Sequence, residues 1–203
     1  MIERSPERDA AINALLPFVP ERGWTIAALR EAAGEDADLL FPGGAVELAE
    51  AWADLADRRM EAGAKALDLE GRRLPERVRA VIALRFEQNR PHKPAVRRAL
   101  AVLARPGSEA AAVRATARTV DAIWHAAGDE SADFSWYTKR AILAGVYGST
   151  LLRWLADGSE DDGPTLAFLD RRLADVARIG ARIGRLRRRV EKGLRAFRPR
   201  EAM

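Results

Sequence analysis

Ten lysine and arginine side chains lie between residues 176 and 203, interleaved with apolar side chains at helical spacing. On a helix these apolar residues form one narrow stripe, and the basic groups cover the remaining surface. Such a helix binds anionic membranes because its charges attract headgroups while its apolar side chains enter the interface. We therefore predict a membrane-binding stripe made of Ile179, Ile183, Leu186, Val190, Leu194 and Phe197.

The charge of the chain is divided unevenly along its length. Residues 176–203 carry a net charge of +8, whereas residues 1–175 carry −4 and the whole chain +4. An asymmetry of this kind indicates an anionic partner for the tail alone, either lipid headgroups or nucleic acid. Two other interpretations of the stripe remain open: the helix packs on its own domain, or it docks on a partner as in a coiled coil.

Catalytic and metal-binding patterns are poorly represented. His92 and His125 are the only histidines and the chain has no cysteine, which is too few for a three-histidine zinc site and excludes thiolate ligands. The acidic pair Asp161 and Asp162 falls in an expected solvent-exposed loop, and the spacing shows no pairing of a nucleophile with a base. We expect no catalytic residue, no metal site and no cofactor.

The elements that must position these residues all have helical spacing, and alternating strand patterns are lacking, so we predict an all-α fold. Ser5 and Pro6 start the first of three short helices, which end near Leu40, and a long helix follows over 45–69. The most apolar run, 141–155, is short and contains Arg153, so any membrane contact is expected to be peripheral. The charged N-terminus lacks a secretory signal pattern, which predicts a cytoplasmic protein.

Residues 133–157 and 165–172 resemble the signature of the Coq-nine family, lipid-binding accessory proteins of ubiquinone biosynthesis. Similar motifs recur at 23–25, 40–44, 56–60 and 91–100. The resemblance implies a dimeric TetR-like helical bundle with a helix-turn-helix-like head, a ligand pocket and a C-terminal amphipathic helix. It also implies a non-catalytic activity, in which isoprenoid quinone intermediates are bound at the inner face of the membrane and presented to the demethoxyubiquinone hydroxylase.

These expectations assign residues to three surfaces. The domains would be a head at 1–44, a lipid-binding and dimerisation body at 45–175, and a membrane-binding helix at 176–203. Small residues among bulky ones on the helix after Asp133 could leave a tunnel for a prenyl chain, or could serve close packing or a dimer interface. The lipid-binding assignment covers Ile142, Leu143, Val146, Tyr147, Leu151 and Trp154. The resemblance assigns contact with the hydroxylase to Asp133, Trp136, Tyr137 and Arg140; the alternative is a core tryptophan beside solvated basic residues.

The rival hypothesis is a TetR-like DNA-binding transcriptional regulator, because such a head normally enters the major groove. Residues 21–50 carry a net charge of −5, although DNA binding depends on neutralising phosphates. The candidate recognition helix, 35–40, is itself acidic. We therefore expect no nucleic-acid partner.

Overall fold

The computed structural model describes residues 2–129 and 135–196, with side chains described for 2–129 and 137–179. Within these residues the chain forms helices and no β-strand, which confirms the predicted all-α fold. Two short 3-10 segments are Glu35–Leu40 and Arg90–His92. The α-helices are α1 Pro6–Leu15, α2 Val19–Arg22, α3 Ile26–Ala33, α4 Gly44–Ala64, α5 Leu74–Asn89, α6 Lys93–Leu103, α7 Glu109–Ala126, α8 Ser135–Ala156 and α9 Gly163–Ala196.

The first helices begin where their capping residues predict. The Ser5 hydroxyl accepts a hydrogen bond from Arg8 N at 3.2 Å and so caps α1, as Thr25 caps α3 by accepting from Ala28 N. The single turn α2 is not predicted, because four residues are too few to show a helical period. Residues 35–40 form a 3-10 segment rather than the expected α-helix.

Two tryptophans fasten the head to the body. The buried Trp24 donates its Nε1 hydrogen to Ala95 O at 3.0 Å and stacks on Trp52 with 6.2 Å between ring centroids. Trp52 lies on α4 and Ala95 on α6, and the first half of α4 and one face of α6 share an apolar cluster with α1 and α3. Residues from the second half of α4 instead join α5, α7, α8 and α9 in another cluster. Helix α4 thus contributes residues to both clusters. The domain boundary that we predicted between residues 44 and 45 stays a prediction.

Basic residues of α6 hold the C-terminal end of α8. Lys93 Nζ donates to Asp157 O at 2.6 Å, and Arg97, one helical turn further on, donates to Leu155 O. The last carbonyls of a helix lack partners within the helix, and cations near them are favoured by the helix dipole. Lys93 and Arg97 belong to the motif at 91–100, and their two hydrogen bonds hold the end of α8 against α6.

The turn between α8 and α9 is built around two buried carboxylates. Asp157 accepts hydrogen bonds from Thr165 N at 2.9 Å and Thr165 Oγ1 at 2.6 Å, and these contacts hold its pKa well below the usual range. Asp162 was expected in a solvated loop, but it is buried and pairs with Arg90 at 2.9 Å. The expectation was wrong because sequence spacing does not reveal that α5 ends beside this turn.

Helix α9 continues without a break across the predicted boundary at 175/176. Leu173 and Val176 pack against the body, whereas Ile179 is 57% exposed. The steps from Leu169 to Leu173, Val176 and Ile179 are the same steps of three and four that continue through the tail. The apolar face of α9 thus starts in the core and leaves the body at Ile179. Within the described ranges, no helix has the length and apolar character needed to cross a membrane.

Candidate functional site

An apolar cavity of about 90 Å³ lies between helices α4, α5, α6, α7 and α8. A single water needs only about 10 to 15 Å³, so this space can hold a small ring or a short branched chain. Alanines make up much of the wall, and they leave room where larger side chains would close the core. The lining includes Ala49, Trp52, Ala53, Ala56, Phe86, Val96, Ala99, Leu100, Leu103, Ala115, Leu151 and Trp154.

Three aromatic rings form one side of this cavity. Phe86 lies between Tyr147, with 6.1 Å between centroids, and Trp154, with 5.2 Å, and the planes are nearly parallel at 9° and 14°. Lys93 Nζ lies 4.8 Å from the centroid of the Trp154 ring, which adds a cation–π contact. These contacts fix the orientation of the rings on α5 and α8 and give the cavity a flat apolar wall.

A buried polar cluster closes one end of the aromatic wall. Arg85 Nε donates to Tyr147 Oη at 2.8 Å, and Arg85 also forms an ion pair with Asp57 at 2.6 Å. The Thr119 hydroxyl donates to Asp57 at 3.1 Å. Of these residues, Arg85, Thr119 and Tyr147 line the cavity directly.

Burial sets the protonation of this cluster. It raises the pKa of the Asp57 carboxyl to about 6, although the Arg85 and Arg118 charges and the Thr119 hydrogen bond oppose the shift. Burial also raises the pKa of the Tyr147 hydroxyl, so the phenol keeps its proton. At neutral pH, Asp57 is therefore mainly ionised and compensates Arg85, while Tyr147 remains a hydrogen-bond donor.

The predicted lipid-binding residues separate into two groups. Tyr147, Leu151 and Trp154 line the central cavity. The other three, Ile142, Leu143 and Val146, line a second apolar space of about 170 Å³ between α5, α7, α8 and α9. The two groups follow one another along α8: the residues of the second space lie nearer its N-terminus, and those of the central cavity lie nearer its C-terminus.

The predicted partner-binding residues are described only in part. Tyr137 is 77% exposed and lines an open apolar groove between α7 and α8, together with Arg140. The Arg140 guanidinium pairs with Asp121 at the edge of this groove. Asp133 lies outside the described residues, and for Trp136 only the helical backbone is described.

The predicted membrane stripe falls on the C-terminal part of α9. Ile179 is exposed, and the positions of Ile183, Leu186, Val190 and Leu194 fall on helical backbone. Their side chains are not described, and Phe197 lies outside the described residues. The helix of the tail is thus present, while its contact with a membrane stays a prediction.

Sequence reasoning missed the polar cluster and the α5 side of the cavity. Arg85 follows Val81 and Ile82 on the apolar face of α5, directly before Phe86. A charged residue on an otherwise apolar helix face was the signal that could have found it, since such a residue requires a buried partner. Its partner Asp57 stands within the 56–60 motif, for which spacing alone suggests no role.

Comparison with known proteins identifies the family. Residues 110–180 match the family model described as COQ9. This chain is 33% identical over 181 residues to the rat protein named "Ubiquinone biosynthesis protein COQ9, mitochondrial", an alignment that covers 83% of this chain and 58% of the rat protein. The chain belongs to the COQ9 family. It is 32% identical to the human protein of the same name, covering 83% of this chain and 57% of that protein. The chain therefore spans somewhat more than half of the length of these relatives.

A solved structure supports the fold. The crystal structure of a TetR transcriptional regulator from Nitrosomonas europaea matches 85% of this chain and 99% of its own chain, with a TM-score of 0.68. The two sequences are 23% identical, so the likeness establishes a TetR-like fold and nothing about activity. The fold expected from the family resemblance is thereby confirmed.

The segment that matches the family model contains much of the candidate site. It covers nearly all of α7, all of α8 and the first half of α9, and so includes Tyr137, Tyr147 and Trp154. The remaining wall of the central cavity, including Trp52, Arg85 and Phe86, comes from helices α4 to α6. The cavity is therefore built by the family segment together with the helices that precede it.

Proposed function

We propose that this chain is a non-catalytic lipid-binding protein of ubiquinone biosynthesis. In this role it binds isoprenoid quinone intermediates at the membrane and presents them to the demethoxyubiquinone hydroxylase. The observation that carries the proposal is the apolar cavity between α4 and α8, walled by Phe86, Leu151 and Trp154. Membership of the COQ9 family, whose relatives are named for ubiquinone biosynthesis, supplies the pathway.

The cavity suits extraction rather than bond making. Its wall is mainly apolar, so a prenylated ring that moves into it stays out of water, and each square ångström of apolar surface kept from water contributes about 25 cal/mol. The charged groups beside it, Asp57 and Arg85, are paired with each other. No group of three or more potential metal ligands occurs among the described residues. The chain would carry its cargo unchanged and leave the chemistry to the hydroxylase.

Delivery would occur where α9 leaves the body. The second apolar space lies against Leu173, Val176 and Ala177, immediately before the exposed Ile179. A helix docked on an anionic surface through the tail stripe would bring this space close to the lipid. The proposed location is the inner face of the cytoplasmic membrane; the rat and human relatives carry the word mitochondrial in their names.

The DNA-binding alternative finds little support in the head. The acidic segment 35–40 is a single 3-10 segment, in which Asp38 pairs with Arg30. Exposed carboxylates at Glu35 and Asp36 would meet DNA phosphates with the wrong charge. The head is packed on the body, because Trp24 donates to Ala95 O of α6 and stacks on Trp52 of α4.

A variant that fills the cavity tests the proposal. Ala99 is a buried part of the cavity wall on α6, so Ala99→Leu adds three carbon atoms where the ligand would lie. The protein is purified from a quinone-producing host, and native mass spectrometry with lipid extraction identifies the lipid that co-purifies. We expect an isoprenoid quinone intermediate on the unmodified chain and at least a fivefold smaller amount on the variant.

The matched control is Ala101→Leu, the same change at an exposed position of the same helix. The control should retain its lipid, and thermal unfolding of both variants shows whether each is folded. A chain that carries no isoprenoid lipid, or an Ala99→Leu variant that is folded and fully loaded, would refute the proposal.

A further inference from the structure

Trp154 carries a buried hydrogen-bond donor whose role the packing of the protein does not explain. The side chain is fully buried and lines the central cavity. Its Nε1 has no hydrogen-bond partner among the described residues. Leaving a buried donor unpaired is unfavourable, and an indole N–H can only donate. A ligand atom in the cavity that accepts this hydrogen would remove that penalty.

Tyr147 supplies a second donor across Phe86. Its hydroxyl oxygen already accepts from Arg85 Nε at 2.8 Å, so its own proton is directed elsewhere. Burial keeps the Tyr147 pKa above the usual value, and the phenol therefore stays a donor at neutral pH. The two donors belong to rings that flank Phe86, whose centroid lies 6.1 Å from Tyr147 and 5.2 Å from Trp154. Both rings line the cavity, so Trp154 Nε1 and the Tyr147 hydroxyl are the two donors available to a ligand ring along this aromatic wall.

The cations around the cavity already have counter-charges. Arg85 is paired with Asp57 at 2.6 Å. Lys93, whose Nζ lies 4.8 Å from the centroid of the Trp154 ring, donates to Asp157 O and lies 3.7 Å from Asp162. A ligand carboxylate in this space would therefore lose its water without gaining a free positive charge, which is strongly unfavourable.

We propose that Trp154 and Tyr147 donate hydrogen bonds to the oxygen atoms of an uncharged oxygenated ring, a quinone or a phenol, and that the cavity rejects rings bearing a carboxylate. This inference rests on the proposed function and specifies which precursors the chain accepts. A precursor ring that carries a carboxyl group would enter this cavity only after a decarboxylation has removed that group. The chain would then serve the later ring modifications and not the first steps of the synthesis.

The test uses ring compounds without a prenyl tail, so that binding reports the cavity alone. Equilibrium dialysis of the full chain measures the affinity for 2,3-dimethoxy-5-methyl-1,4-benzoquinone, which is uncharged, and for the anion 4-hydroxybenzoate. We expect the quinone to bind at least about tenfold more tightly than the anion. The variant Trp154→Phe keeps an aromatic ring but removes the donor, and should weaken quinone binding about threefold to tenfold, the usual worth of one hydrogen bond.

Trp124 provides a matched control. It is also a buried tryptophan whose Nε1 has no partner among the described residues, but it lines the second apolar space beside Leu143. Trp124→Phe should leave quinone binding unchanged. If Trp154→Phe does not fold, as judged by thermal unfolding, Tyr147→Phe gives the second measurement and should also weaken quinone binding.

The possible outcomes separate this inference from the proposed function. Equal binding of 4-hydroxybenzoate, unchanged binding by Trp154→Phe, or an equal loss in Trp124→Phe would overturn the inference. Co-purification of an isoprenoid quinone would still support the proposed function in that case. Selective binding of the uncharged ring to a chain that never carries a prenylated lipid would support the inference and overturn the proposed function.

Discussion

Arg85 shows how one residue shapes the candidate site. Its side chain is 7% exposed, and it is placed on an otherwise apolar face of α5. The ion pair with Asp57 and the hydrogen bond to Tyr147 make this burial possible, because an uncompensated buried charge is costly. Arg85 therefore positions the Tyr147 hydroxyl at the edge of the cavity.

Replacing Arg85 by methionine should destabilise the chain by about 3 kcal/mol or more at pH 7, because Asp57 would remain buried with less compensation. The Asp57 pKa is already raised to about 6 from 3.8, so protonation in the folded state adds stability as the pH falls through 6 toward 3.8. In Arg85→Met this pKa should rise further. The gap in unfolding free energy between the variant and the unmodified chain should consequently narrow from pH 7 to pH 5, as measured by urea denaturation.

Arg79→Met is the matched control on the same helix. Arg79 pairs with Asp170 at 2.5 Å, but the two side chains are 39% and 49% exposed. A surface pair contributes at most about 1 kcal/mol, so this variant should be only slightly destabilised and should show no narrowing between pH 7 and 5. Equal effects of the two substitutions would contradict the role assigned to Arg85.

Helix α9 combines a core element with the tail. Its start is fixed by Asp157, which accepts from both the backbone and the hydroxyl of Thr165. Leu173 and Val176 belong to the body, and the exposed Ile179 is the point at which the same face leaves it. The apolar face of α9 packs on its own domain up to Val176. From Ile179 onward, membrane binding is our prediction for the stripe, and packing on the domain and docking on a partner stay the alternatives.

Serine substitutions test the membrane part of α9. The combined variant Ile183→Ser, Leu186→Ser and Val190→Ser should reduce co-sedimentation with vesicles of mixed neutral and anionic phospholipid at least tenfold, because the apolar side chains that enter the interface are removed. Thermal unfolding of the body should stay unchanged, since we assign these three side chains to the membrane surface and not to the core. Loss of the fold would instead show that the stripe is core.

Two alanines on the opposite face of the tail give the matched control. By helical spacing, Ala181 and Ala196 lie away from the apolar stripe. The double variant Ala181→Ser and Ala196→Ser should bind vesicles as the unmodified chain does. Vesicles of neutral lipid alone should bind both chains less, because the basic groups then have no anionic headgroups to attract.

At the scale of the whole molecule, the surfaces divide the proposed tasks. The basic tail carries +8 and would face the membrane, while the body carries −4. The groove between α7 and α8, which Tyr137 and Arg140 line, has the apolar centre and charged edge that suit a protein partner. The hydroxylase and a second copy of this chain are the two protein partners that we predicted, and two measurements on the same variant can separate them.

Replacing the exposed Tyr137 by alanine should weaken binding of the purified hydroxylase at least tenfold in a pull-down, because a tyrosine at the centre of an interface contributes about 2 kcal/mol or more. The control is Leu152→Ala, which removes an exposed apolar side chain 65% accessible on the same helix. Light scattering of each variant gives its mass in solution and so detects a lost dimer. Unchanged hydroxylase binding by Tyr137→Ala would exclude this groove as the docking surface.

The sequence predicted the helices that have a clear capping residue or a long run of apolar residues at helical spacing. Ser5 sets the start of α1 by accepting a hydrogen bond from Arg8 N, so neighbouring residues alone reveal it. The long helix α4 was predicted to reach Leu69 but ends at Ala64, and the one-turn α2 was missed. Short or frayed ends depend on packing that no local pattern contains.

By itself, the sequence determined the all-α fold, the family, and the helical spacing that makes one face of the tail apolar, because all of these are local or motif properties. Only the tertiary structure decided which residues of α8 line which space, and so divided Tyr147 and Trp154 from Ile142 and Val146. It also brought Asp57 and Arg85 together across α4 and α5, and buried Asp162 beside Arg90. These contacts join residues far apart in the chain, and their existence depends on how the helices pack rather than on the spacing within any one of them.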